Sequence, residues 1–169
     1  MDGNLYWITG LSGAGKTTIG RLLYDRMKEK LSNVVFLDGD AMRQAFGNDL
    51  GYSREERLQC AMRYAGLCRL LTEQGIHVVC CTISMFNKVR EWNRSNIKNY
   101  IEIYIEVPLA VLEKRNQKNL YQGLKAGMSK NVVGLDLELE LPESPDIVLV
   151  NDGSCEPKEM AGYLLEKLW

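Results

Sequence analysis

The chain contains one histidine, His77, and no C-x-x-C spacing among its five cysteines, Cys60, Cys68, Cys80, Cys81 and Cys155. A lone histidine with scattered cysteines excludes the usual zinc ligand sets, and an odd, irregular cysteine count argues against a disulfide framework. The cysteines read as small apolar fillers in a reducing compartment, so a cytoplasmic location is expected. A long hydrophobic run is missing as well. The apolar stretch from Gly75 to Phe86 is too short to cross a bilayer as a helix. Met1-Asp2-Gly3-Asn4 lacks the basic start of a signal peptide. No charge of one sign dominates: 21 Lys+Arg against 22 Asp+Glu leave a net charge of -1. That balance excludes a nucleic-acid coat and a polybasic membrane binder. Only four prolines occur, with no linker-like tract and no internal repeat.

What is present fits one domain. At 169 residues, 46% hydrophobic and 25% charged, the chain can bury a core that needs no metal or disulfide staple. Short Val- and Ile-rich runs at Leu5–Thr9, Val34–Leu37, His77–Ile83, Ile101–Val107 and Asp146–Val150 read as strands apolar on both faces. Such runs suit a parallel sheet. Helical patterns separate them. Lys16–Leu31 repeats Ile19, Leu22, Leu23 and Met27; Ser53 with Glu56 forms a capping box for a helix running to Gly75. Further helices are expected over Asn87–Lys98, from Pro108 to Arg115 and over Pro157–Leu168. Alternating strand and helix predict an α/β domain. Asn116–Glu143, with Gly123, Gly127, Gly134 and several lysines, is long for a connection and is expected to form a lid.

The first strand runs into Gly10-Leu11-Ser12-Gly13-Ala14-Gly15-Lys16-Thr17. This is G-x-x-x-x-G-K-[ST], a phosphate-binding loop. Its glycines let backbone N–H groups face phosphate oxygens, and the helix that follows points its positive end at the same anion. Gly10, Ser12, Gly13, Ala14, Gly15, Lys16, Thr17 and Thr18 are therefore candidate ATP-binding residues. Lys16 can reach the β- and γ-phosphates, and Thr17 can ligate Mg²⁺. The second strand ends in Leu37-Asp38-Gly39-Asp40, followed by Arg43. Carboxylates at that end of a parallel strand face the ligand crevice. Asp38 and Asp40 can hold Mg²⁺ or take a proton from an acceptor hydroxyl, and one helical turn can present Arg43 to an anion. Arg57 and Arg63 read equally well as a solvated helix face. Trp92 and Cys80-Cys81 read as core, and His77 as a structural rather than catalytic histidine.

Gly10–Thr18, Leu37-Asp38-Gly39-Asp40-Ala41-Met42-Arg43, Asn48–Ser53 and Glu56-Arg57 together resemble the adenylylsulfate kinases. The resemblance continues through Val107-Pro108-Leu109, Lys118–Tyr121, Ala126-Gly127 and Gly134-Leu135-Asp136, covering nearly the whole chain. It implies a three-layer P-loop NTPase fold, with a five-stranded parallel sheet, flanking helices and a lid, like that of the nucleoside monophosphate kinases. It implies a homodimer that moves the γ-phosphate of ATP, with Mg²⁺, to the ribose 3′-hydroxyl of a small nucleotide, adenylylsulfate first. By the same resemblance Lys16, Asp38 and Asp40 are catalytic, and Thr17 and Asp38 hold the metal. Arg115 serves ATP from the lid. Asp38, Arg43, Tyr52, Arg57, Cys60, Ile83, Ser84 and Val132 fall where the family meets its acceptor.

The departures gather in the acceptor half. The family has Asn at Cys60, Pro at Met85, Arg at Asn87 and an aromatic residue at Val132. Asn116 and Asn119 replace an Asp and a Gly. Losing one aromatic partner removes roughly 1–3 kcal/mol of base stacking, and Tyr52 alone stacks on one face of a base. A second acceptor, cytidine diphosphoramidate, therefore stays open, as does a nucleotide-binding ATPase or switch.

Overall fold

The computed structural model describes residues 1–115 and 140–169. The expected lid lies outside the described residues apart from its last four positions, and Val132, Asn116 and Asn119 lie outside them altogether.

The chain alternates strand and helix. In order these are β1 (Leu5–Thr9), α1 (Lys16–Lys28), β2 (Val34–Asp38), α2 (Gly39–Ala45), α3 (Arg54–Glu73), β3 (His77–Cys81) and α4 (Asn87–Asn96). Then come β4 (Tyr100–Glu106), α5 (Leu109–Arg115), β5 (Ile147–Val150) and α6 (Pro157–Leu168). The strands form one parallel sheet in the order β2-β3-β1-β4-β5. Successive residues of β1 point to opposite faces, and both faces are covered. Tyr6 and Ile8 pack with Ile19, Leu23 and Met27 of α1 and Met160 and Leu164 of α6. Leu5 and Trp7 pack with Ala61, Ala65 and Cys68 of α3 and Val89 of α4. This is why the runs lack polar alternation.

Local rules set most helix starts. Ser53 and Glu56 form the expected capping box at α3, and Pro157 stands in the first turn of α6. Several boundaries differ from expectation by one to three residues. Helix α1 stops at Lys28 rather than Leu31, and β3 stops at Cys81, leaving Thr82 to Phe86 as a loop over the sheet edge. Helix α2 extends the single helical turn expected at Arg43 to seven residues. It exists because the Asp38 side chain accepts the backbone N–H groups of Asp40 and Ala41, at 3.0 and 3.4 Å.

The strand order places β1 between β3 and β4. The chain leaves β1 for β2, which lies beyond β3, and later returns to β4 on the other side. A ligand crevice opens at such a reversal, at the carboxyl ends of the strands.

Candidate active site

Beyond β1 the loop Gly10–Gly15 wraps the start of α1. Gly15 has φ +93°, and a Cβ there would come 2.9 Å from Asn151 Nδ2. Only glycine holds that left-handed turn at that approach. The loop therefore presents backbone to the crevice, with Lys16 starting the helix behind it. Lys16 Nζ donates to Leu11 O at 2.7 Å, laying the ammonium across the loop. Thr17 and Thr18 are exposed, beside Ser12 and Gly13 at the same crevice.

Thr17 Oγ1 donates to Asp38 Oδ2 at 2.7 Å, while Asp38 Oδ1 caps α2. A hydroxyl and a carboxylate oxygen side by side are hard donors. They suit Mg²⁺, which takes one or two protein oxygens and completes its shell with water and phosphate. Among the described residues no group of three or more His, Cys, Asp or Glu side chains is placed to hold a metal ion.

A second crevice adjoins the first. Arg43, Tyr52, Arg57, Cys60, Met85 and Phe86 line it, together with Arg54, Tyr64 and Ser84. Gly39, Asp40, Thr82 and Ile83 line both crevices and form the boundary between them. Asp38 lines only the phosphate-loop side. The acceptor role that the resemblance implies for Asp38 therefore has no counterpart in the lining of the second crevice, which Asp40 reaches instead.

The exposed Tyr52 ring has two guanidiniums beside it. Arg43 Cζ lies 4.5 Å and Arg57 Cζ 5.1 Å from its ring centroid. Arg43 also donates to Leu50 O and Gly51 O, at 2.6 and 3.0 Å, and Arg57 Nε to Tyr52 O at 3.0 Å. Both cations are oriented by the loop they enclose. Cys60 is buried in the crevice wall; its thiol donates to Tyr64 Oη at 2.9 Å, and Tyr64 donates on to Gly39 O at 3.0 Å. Burial and this thiol push the Tyr64 phenol up from its ordinary value. Ser84 Oγ pairs with Thr82 Oγ1 at 2.7 Å, and the Ser84 backbone has φ +21°, a strained value for a non-glycine residue.

Arg115 closes the far side of the phosphate loop. It donates to Gly13 O at 3.2 Å and to Asn151 Oδ1 at 3.0 Å, and Asn151 Nδ2 donates to Ala14 O at 2.8 Å. Sequence reasoning did not single out Asn151. Its signal was its place, directly after β5 at the carboxyl edge of the sheet. Arg54 and Tyr64 were missed because nothing local distinguishes them from other helix residues. His77 accepts the Asn4 backbone N–H at 3.1 Å and joins neither crevice. Arg63 pairs with Asp49 outside the second crevice, at 2.7 Å. Trp92 packs on the core. Among the described residues no helix is long and apolar enough to cross a membrane.

The comparisons agree with this geometry. Residues 2–150 match the adenylylsulphate kinase family model. The cytidine diphosphoramidate kinase of Campylobacter jejuni is 41% identical over 170 residues, covering 99% of each chain. The adenylyl-sulfate kinase of Halothermothrix orenii is 41% identical over 168 residues, covering 99% of this chain and 90% of its own. The structure of the Mycobacterium tuberculosis APS kinase CysC in complex with AMPPNP and APS superposes with a TM-score of 0.90 at 30% identity, covering 99% of this chain and 98% of that one. The chain has the P-loop NTPase fold and belongs to the adenylylsulphate kinase family, as an ATP-dependent kinase that phosphorylates an alcohol group.

Proposed function

We propose that the chain transfers the γ-phosphoryl group of ATP to the ribose 3′-hydroxyl of a nucleotide carrying two linked acidic groups. One observation carries this reading: a phosphate-loop crevice and a crevice holding Arg43, Tyr52 and Arg57 share a wall that contains Asp40. Donor and acceptor then meet across Asp40, which takes the proton of the attacking hydroxyl. Lys16 faces the charge developing on the transferred group, and Arg115 secures ATP from behind the loop. Gly10, Ser12, Gly13, Ala14, Gly15 and Thr18 surround the ATP phosphates. Thr17 and Asp38 would hold Mg²⁺, which when bound neutralises phosphate charge. Arg43 and Arg57 grip the acidic end of the acceptor, Tyr52 stacks on its base, and Ile83 and Ser84 form its wall. Val132 keeps an acceptor role by resemblance alone. Phosphoryl transfer needs positioning and charge neutralisation more than covalent help, and this site is composed for that.

The resemblance ranks adenylylsulfate first as acceptor. The floor of the crevice supports the other order. Cys60 stands where the family has Asn, and the thiol and Tyr64 use their protons on each other and on Gly39 O. That floor offers a base sulfur and hydrocarbon instead of an amide. The match to the Campylobacter jejuni enzyme also runs end to end. Cytidine diphosphoramidate is therefore the acceptor we favour, with adenylylsulfate second.

ATP consumption measured with both compounds side by side tests the choice. The cytidine compound should give at least a tenfold higher kcat/KM, and its 3′-deoxy form should give none. Tight saturation by adenylylsulfate with rejection of the cytidine compound would reverse the ranking. Lys16→Ala should abolish transfer with either. We further propose a cytoplasmic homodimer; light scattering reads the oligomeric state.

A further inference from the structure

We propose that Arg54 is a third acceptor-binding guanidinium, specific for the second of the two linked acidic groups, and that Glu140 positions it. The proposal rests on the reading of this crevice as a nucleotide acceptor site.

Arg54 is the first residue of α3. Helical side chains lean toward the N-terminus, so Arg54 projects off the helix start and over the crevice it lines. It does not join the stack on Tyr52. Its Cζ lies 5.6 Å from the ring of Phe86, on another wall. Arg43 and Arg57, both beside Tyr52, suffice for one phosphate. A third cation on a separate wall is surplus for a nucleoside monophosphate and matched to an acceptor with a further acidic group.

Glu140 accounts for where Arg54 stands. One carboxylate oxygen of Glu140 pairs with Arg54 Nη2. The other accepts the backbone N–H of Asn87 at 2.6 Å. Asn87 is the first residue of α4, and Phe86 before it supplies no capping side chain, so Glu140 caps that helix from a distant part of the chain. The backbone carbonyl of Glu140 accepts from buried Arg90 at 2.6 Å. A carboxylate fixed by α4 in this way is a rigid partner, and it restricts the rotamers of a long, half-exposed arginine before any ligand arrives. Only one of the five guanidinium N–H donors is on Glu140, which leaves donors for an anion.

Calorimetry with the diphosphate and monophosphate of cytidine and of adenosine tests this, on the native protein and on Arg54→Ala, Arg54→Lys and Glu140→Gln. Native protein should bind each diphosphate more tightly than its monophosphate. Arg54→Ala should weaken diphosphate binding about 10- to 100-fold, with monophosphate and ATP binding unchanged. Arg54→Lys should recover part of the loss. Glu140→Gln should raise the acceptor KM with kcat held. Melting curves on each variant check that α4 is intact. Equal weakening of monophosphate and diphosphate, or no weakening, overturns the assignment of Arg54. Native protein that binds none of the four nucleotides beside ATP overturns the acceptor reading itself, and this proposal with it.

Discussion

Thr17 and Asp38 hydrogen-bond at 2.7 Å across 21 residues of sequence. One belongs to the first turn of α1, the other ends β2, and the two strands that precede them are not neighbours in the sheet. The bond joins the phosphate loop to the carboxylate that also caps α2. A single aspartate thereby serves the proposed Mg²⁺ site and the start of the helix that carries Arg43.

Those two duties of Asp38 separate by substitution. Asparagine caps a helix about as well as aspartate but carries no charge. Asp38→Asn should therefore fold with near-native stability and lose most of kcat at saturating ATP and Mg²⁺. Asp38→Ala should lose kcat and also about 1 kcal/mol of stability through the missing cap. Urea unfolding and steady-state kinetics on both variants read this. Near-native kcat in the asparagine variant would remove Asp38 from the metal site.

Gly20 tests the packing beneath the loop. A Cβ there would come 2.2 Å from Cys81 Sγ and 3.2 Å from Ile8 Cδ1. Alanine normally improves a helix interior by about 1 kcal/mol over glycine, whereas forcing a methyl into a filled core costs roughly 1–3 kcal/mol. At this distance the clash wins, and Gly20→Ala should lower Tm by several degrees. Adding Cys81→Ala should restore much of it, because the sulfur is the nearest obstacle. A rise in Tm for Gly20→Ala alone would show that the α1–β3 contact is looser than described.

The single histidine gives a clean pH signature. Burial holds the His77 imidazole below its ordinary value of 6.5, and its Nδ1 must stay unprotonated to accept from Asn4 N. A depressed pKa in the folded state gives a stabilisation that is complete above 6.5 and lost as pH falls through the folded value. Denaturation midpoints should therefore fall more steeply below pH 6.5 in the native protein than in His77→Gln. Proton NMR of the lone imidazole reads the same event, and a midpoint at or above 6.5 would contradict the sign.

The order of strands and helices was legible in the sequence because it rests on local rules. Both parities of β1 are apolar, Ser53 and Glu56 sit three residues apart, and the glycines of Gly10–Lys16 have the spacing that turns a strand into a helix around an anion. Of helix α2 only one turn was legible. Seven residues beginning with glycine carry little apolar period, and a carboxylate already read as catalytic supplies the cap. That Asp38 lines only the phosphate-loop crevice while Asp40 lines both depended on tertiary structure too, since two residues separated by one position in sequence part only once β2 gives way to α2. Arg54 met Glu140 across 86 residues, and Asn151 met Ala14 across 137. No local pattern encodes such pairs. They form because the sheet places β1 between β3 and β4, so that chain segments remote in sequence converge at one carboxyl edge.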